Sequence, residues 1–489
     1  MLLKSFIQWC LALTFSLIII TPAVAQPDDW RKVSSKNIEM YTDHEEAVAL
    51  EVIEQLEIFR STVLQFMNGV DVNNLPVVKV FLFKSEKLWK NTGQEMYVGG
   101  YFRNSIYGPV LAVNSVEGEV DYPIVFHEYL HYLVMTSVPT RYADWYNEGI
   151  AEFFSTMVIE DDYIYIGAVP EQHVEVLSKY GFIRPEELFA TNMSMEKGWR
   201  FKVKYYASAW LTTHYFTLGA RNGFPSHYKA NANFLNKVSE GVEHDRAYEE
   251  SFDISYSDLY REIRYYARSK SKDGFAVDKP AARISTVSSK LPVARIKAEL
   301  AAVYGWYEKD EVGYQYLRDA ADAGDAFSLS VSASLAAEDG DIERTKQFIE
   351  KTLAANVVNQ ETLHNVAEAY ATLATQVRKN DDKDNFYSYV ENAERYYRDS
   401  FKNDFYLPSY ISLIELKIAL EEFEEAEQLV NDMLASTFRH PSAYLTAAEL
   451  YIVLAQDDKI IENLKTAIAL VGHNQGFKNR LLEILADYQ

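Results

Sequence analysis

The chain has 489 residues, 48% of them hydrophobic and 24% charged, which excludes a disordered or collagen-like protein and leaves room for two or three domains. Its 71 acidic residues against 48 basic ones give a net charge of −23, which argues against nucleic acid and anionic lipid as partners.

Residues 1–25 read as a signal peptide. Lys4 supplies the positive start, Leu11 to Ile20 the apolar core, and Ala23-Val24-Ala25 the small-residue cleavage pattern. An uncleaved anchor is the alternative, although the apolar run falls short of the ~20 residues a bilayer needs. Cleavage removes Cys10, the single cysteine, so a metal in the mature chain has to be held by His, Asp or Glu. Export without disulfides suits a bacterial envelope protein, periplasmic or secreted, with no stable membrane span after cleavage.

Residues 26–268 read as an α+β domain. Ile38 to Tyr41 forms a short strand, and His44 to Met67 carries Val48, Val52, Ile53, Leu56 and Phe59 at helical spacing. Val77 to Phe83 and Pro109 to Asn114 are further strand candidates. The segment Ile106 to Asn114 is either an exposed edge, to which an extended peptide adds by main-chain hydrogen bonds, or an ordinary buried strand.

His127-Glu128-Tyr129-Leu130-His131 follows Pro123, which suits the first turn of a helix. Residues at i and i+4 share a helix face, so both imidazoles can hold one metal while Glu128 faces a water. Downstream, Trp145-Tyr146-Asn147-Glu148-Gly149-Ile150-Ala151-Glu152 supplies Glu148 as a third ligand from a second helix. Two His, one carboxylate and an open fourth position make a catalytic zinc arrangement. Glu152, one turn on, can accept the second ring N–H of a ligating His and fix its tautomer. The plainer alternative is a solvated acidic pair at i, i+4.

These two motifs, with Pro139 between them, resemble the gluzincin zinc metallopeptidases and in particular the peptidase MA-like family. The stretch Tyr205-Tyr206-Ala207-Ser208-Ala209-Trp210-Leu211-Thr212-Thr213-His214-Tyr215 is similar to the helix that follows the metal-site helices there. The resemblance implies Zn²⁺ on His127, His131 and Glu148, Glu128 as general base, and Tyr206 beside the developing oxyanion. Tyr206 also reads as a core tyrosine. His214 reads as a packed or surface residue, with a role behind the metal ligands as the alternative. No Gly-x-Met-Glu-Asn motif occurs, which argues against aminopeptidase activity.

Residues 269–292, rich in Ser, Lys, Asp and Pro, read as a linker. From 293 to 489 the chain breaks into helical pairs with periods of about 34 to 36 residues, such as Ala326 to Asn359, Phe405 to His440 and Pro441 to Asn474. These resemble tetratricopeptide repeats and imply an all-α solenoid, with Gln475 to Gln489 as its cap. An irregular helical bundle is the alternative. The linker implies that a chain ending near Asp278 folds by itself.

The expected function is therefore an exported zinc peptidase acting on a peptide or protein substrate, with repeats that dock a protein partner. The alternatives are a catalytically silent envelope adaptor and a zinc hydrolase of non-peptide amides.

Overall fold

The computed structural model describes residues 27, 29–67, 75–116, 118–137, 142–190, 198–280, 284–305, 311–355, 357–379, 382–436, 438–471 and 475–488. The expected signal segment and Pro139 lie outside them. Among the described residues no helix is long and apolar enough to cross a membrane.

The N-terminal half is mixed α and β, as its patterns imply. Strands β1 (Arg31–Ser34), β2 (Ile38–Thr42), β3 (Val78–Phe83), β4 (Gly100–Ser105) and β5 (Gly108–Asn114) are interleaved with helices α1 (Glu46–Val63) and α2 (Glu86–Lys90). Next come α3 (Tyr122–Ser137), α4 (Asp144–Ser155), a small hairpin of β6 (Val158–Ile159) and β7 (Tyr163–Ile166), and helices α5 (Glu171–Tyr180), α6 (Pro185–Ala190) and α7 (Trp199–Leu218). Helices α8 (Tyr228–Ser239), α9 (His244–Glu249) and α10 (Tyr256–Arg268) complete this half, followed by β8 (Phe275–Asp278) and β9 (Val287–Lys290).

The main sheet runs in the order β4-β5-β3-β2-β1-β9, with β2, β3 and β5 parallel and both β4 and β1 antiparallel to their neighbours. Side chains alternate across it. Val78, Val80 and Leu82 of β3 join Met40, Leu111 and Val113 against Val52, Leu56 and Phe59 of α1 and Val125, Tyr129 and Leu133 of α3. Tyr41, Phe81, Phe83 and Ala112 face the other way.

One expectation is corrected. The segment 269–292 is not a free linker: β8 joins the β6–β7 sheet, and β9 pairs with β1 in the register Arg31↔Lys290 to Ser34↔Val287. Strands of four residues, one of them the polar Val-Ser-Ser-Lys, are too short for alternation to show. Of the two readings of Ile106 to Asn114 the interior strand holds: the segment forms a turn and then β5, and β4 and β9 are the edges of the sheet. Every β4 residue is half-buried, so no two-residue hydrophobic rhythm marks it.

The C-terminal half is a helical-repeat solenoid of five helix pairs among the described residues. These are α11 (Val293–Tyr304) with α12 (Glu311–Asp322), α13 (Ala326–Glu338) with α14 (Ile342–Leu353), and the longer α15 (Gln360–Lys379) with α16 (Lys383–Phe401). After them come α17 (Leu407–Ala419) with α18 (Phe423–Leu434), α19 (Pro441–Val453) with α20 (Asp457–Leu470), and the terminal helix α21 (Gln475–Ala486). Their cores run into one another, with Ala367, Ala393, Ala426 and Ala447 letting neighbouring helices approach.

The two halves share a core, so the expected independence of the first is also corrected. Trp30, Tyr41, Phe81, Phe83 and Trp89 on the outer sheet face pack with Ile296, Leu300 and Tyr304 of α11, Tyr316 and Leu317 of α12, and Val331 of α13. Buried charges sit beside this contact. Lys79 Nζ lies 2.8 Å from Glu361 and 3.3 Å from Glu299, and the Tyr41 hydroxyl donates to Glu299 at 3.0 Å. A cavity of about 710 Å³ opens between the sheet and the repeats, lined by Tyr41, Lys79, Glu299, Glu361 and Tyr406. The β4–β5 hairpin reaches into the repeats: Arg103 donates to the Ala302 carbonyl at 3.1 Å, and the Tyr107 ring lies 6.4 Å from that of His364.

Candidate metal centre

Helix α3 begins with Tyr122 and Pro123, and the Val125 amide bonds back to the Asp121 carbonyl at 3.1 Å. Buried Val125, Phe126, Tyr129, Leu130 and Leu133 fix its inner side, which turns His127 and His131 together toward α4. Helix α4 presents Asn147, Glu148 and Ala151 inward. It lies so close to α7 that a Cβ on Gly149 would meet the Ala209 carbonyl oxygen at 2.6 Å and collide with Thr213 Oγ1. Glycine is what permits the approach.

Three ligand atoms converge there. The Nε2 atoms of His127 and His131 are 3.1 Å apart, and Glu148 Oε2 lies 3.3 Å from the first and 3.4 Å from the second. The three side chains keep 13, 12 and 8% of their exposure. Glu148 Oε2 has no hydrogen-bond partner. Bonds of about 2.0–2.1 Å around tetrahedral zinc put neighbouring ligand atoms roughly 3.3 Å apart, so this triangle has the dimensions of one face of that tetrahedron. The donor set fits the ion.

The electrostatics agree with a cation site. Burial works against a charged His127, but Glu152, Glu148 and Glu128 outweigh it and push its pKa up to about 10. Burial likewise works against ionised Glu148, yet the two histidines hold its carboxyl well below the usual range. Burial pushes the Glu128 carboxyl up, with the histidines opposing and Glu148 and Glu152 assisting. The cluster thus draws in a proton where a metal ion would supply the charge.

The other expected residues lie around this triangle. Glu152 Oε1 is 3.5 Å from His127 Nδ1. The Tyr206 ring stands edge-on to the His127 imidazole, with centroids 6.1 Å apart. Burial and then Glu148, Glu128 and Glu152 raise its hydroxyl pKa strongly, so it stays a donor. His214 is not in the cluster. It is fully buried between the Tyr266 hydroxyl at 2.6 Å and the Gly167 carbonyl at 3.1 Å, the packed reading.

Three contributors were not read from the sequence. Asn147 places its side-chain amide nitrogen 3.4 Å from His131 Nδ1. Its place beside Glu148 was the available signal. Gly100 of β4 packs so near α3 that a Cβ would meet Glu128 Cγ at 3.2 Å, which sets the edge strand beside the proposed base. His173 bonds Glu152 at 2.9 Å.

No protein-family model and no curated protein matches the chain. Among solved structures it is similar to a thermophilic tetratricopeptide repeat protein of Thermus thermophilus, at 18% identity and TM-score 0.34, over 40% of this chain and 99% of that one. It is also similar to a tetratricopeptide repeat protein from Parabacteroides merdae, at 14% identity and TM-score 0.23, over 53% and 98% of the two chains. Both likenesses are to repeat proteins, and the repeat architecture of this chain rests on its own helix pairs.

Proposed function

We propose that the chain is a zinc-dependent peptidase of gluzincin type, built on His127, His131 and Glu148. The observation that carries this reading is the ligand triangle of 3.1, 3.3 and 3.4 Å closed by a carboxylate oxygen with no hydrogen-bond partner. Zinc held by three protein ligands lowers the pKa of a bound water and polarises a carbonyl. Glu128, on the same helix as both histidines, takes the proton of the attacking water and delivers it to the leaving amine. Tyr206 donates its hydroxyl to the oxygen on which negative charge develops. Strand β4 lies at one edge of the main sheet, where an extended peptide would add, and Gly99 and Gly100 let that edge pack closely against Ile124 and Glu128 of α3.

A second reading is favoured by the solenoid itself, since stacked helix pairs form extended protein-binding surfaces. It is an adaptor that binds a protein through its repeats and performs no hydrolysis.

Metal analysis with a peptide-library digest separates the two. The peptidase reading expects about one zinc per chain, large metal loss in His131→Ala and Glu148→Gln, and retained zinc with abolished cleavage in Glu128→Gln. A purified chain that takes up no zinc and cuts no peptide leaves the adaptor.

A further inference from the structure

His173 stands outside both metal motifs, on α5. That helix is mostly exposed, and its half-buried residues are His173, Val176, Leu177 and Tyr180, the i, i+3, i+4, i+7 stripe of a helix laid on a surface. The stripe is apolar apart from the imidazole and the Tyr180 hydroxyl. The His173 ring packs 5.8 Å from the buried ring of Trp210 on α7, and its Nε2 lies 2.9 Å from Glu152 Oε2. The other oxygen of the same carboxylate is turned to His127 Nδ1 at 3.5 Å. Three side chains from three helices therefore form a line, His173 to Glu152 to His127, whose far end is the ligand atom Nε2.

A glutamate carboxylate turns freely about its terminal torsion unless something holds it. At 3.5 Å its contact with His127 is longer than a formed hydrogen bond and does not hold it. The bond at Oε2 does, and it directs Oε1 to Nδ1. A proton kept on Nδ1 leaves Nε2 bare, the tautomer that ligation needs.

We propose that His173 is a positioning residue of the metal centre, acting through Glu152 to set the orientation and tautomer of the His127 imidazole and hence the affinity for zinc. This rests on the zinc reading of His127, His131 and Glu148. His173 itself is bonded to Glu152 and packed on Trp210, and acts through that carboxylate.

The test compares His173→Ala and His173→Gln in the full chain. Zinc affinity is measured by competition with a chelator, the visible spectrum of the cobalt-loaded protein reports ligand geometry, and melting is followed without metal. Partners behind metal ligands are worth about 10- to 100-fold in affinity, so His173→Ala should bind zinc at least about tenfold more weakly and shift the cobalt spectrum. Its metal-free melting should stay near that of the wild type. The glutamine amide can donate to Glu152, so His173→Gln should recover most of the affinity and the spectrum. Wild-type affinity and spectrum in His173→Ala overturn the proposal. So does an equal loss in both variants accompanied by lower melting, the mark of packing alone. A wild-type chain that loads neither zinc nor cobalt overturns the metal reading with it, a result visible before any variant is made.

Discussion

Gly149→Ala tests whether the spacing of α4 and α7 holds the proposed metal ligands in place. The added methyl would sit 2.6 Å from the Ala209 carbonyl oxygen and against Thr213 Oγ1. Restoring ordinary contact requires the helices to part by roughly 0.8 Å. Overpacking of this kind costs about 1 to 3 kcal/mol, and replacing glycine by alanine inside a helix returns at most about 1 kcal/mol. With the full return the net loss is up to about 2 kcal/mol, at about 2 to 4 °C of melting temperature for each kcal/mol. Glu148 precedes Gly149 and moves with it, opening the 3.3 and 3.4 Å edges of the triangle. Zinc affinity should fall roughly 10- to 100-fold, the range for disturbing the support of a ligand. Calorimetric melting without metal and a chelator-competition titration measure the two effects. A second change, Thr213→Ala, should rescue only part, because the backbone oxygen of Ala209 remains. Unchanged melting and unchanged zinc affinity in Gly149→Ala would refute the reasoning.

Tyr206→Phe keeps the ring and removes the hydroxyl, so peptide turnover should drop about 10²- to 10³-fold with zinc content preserved; preserved turnover passes the oxyanion role elsewhere. His214 is fully buried and its pKa is pushed down to about 4, chiefly by burial. The folded state keeps it neutral while the unfolded chain takes a proton below pH ~6.5, so its share of stability is present above that value and is lost as pH falls toward 4, up to about 3 kcal/mol. Denaturant titrations from pH ~7 to ~4 should therefore show a shallower decline in His214→Gln than in the wild type. A chain truncated after Asp278 loses β9 and α11 and uncovers Trp30, Tyr41, Phe81, Phe83 and Trp89. At about 1.5 to 3 kcal/mol per large apolar side chain, the loss is roughly 10 kcal/mol, comparable with the whole stability of a domain. That fragment should be insoluble or lack cooperative melting; a soluble, zinc-loaded fragment would contradict the shared core.

The convergence of His127, His131 and Glu148 was legible because its spacing is itself the geometry: four positions along a helix bring His127 and His131 to 3.1 Å, and Gly149 marks the close passage of α7 beside Glu148. The repeats were legible because turns such as Glu338-Asp339-Gly340-Asp341, with Gly340 at φ 80°, interrupt a regular helical rhythm. His173 was hidden because its partner Glu152 is 21 positions away on another helix. The shared core left a trace that was not used. In β3 both Val80 and Leu82 on one face and Phe81 and Phe83 on the other are buried, the mark of a strand covered on both sides. Only Lys79 disguised it, and Lys79 is half-buried with its ammonium between Glu299 and Glu361.

The pairing of Arg31 in β1 with Lys290 in β9 sets a schedule for assembly. During synthesis the first strand emerges well before its outer neighbour, with more than half of the sheet and, among the described residues, ten helices between them. Contacts between residues so distant in sequence form slowly, because the intervening chain must first be gathered in. Until α11 to α13 arrive, the aromatic outer face of the sheet stays open, and an uncovered strand edge beside it invites pairing with other chains. The repeats are therefore a late-arriving half of the sheet's own folding unit. The full sheet that backs α3 is reached only when they have joined it, so the half that carries the histidine pair and the half that carries the repeats come into being together.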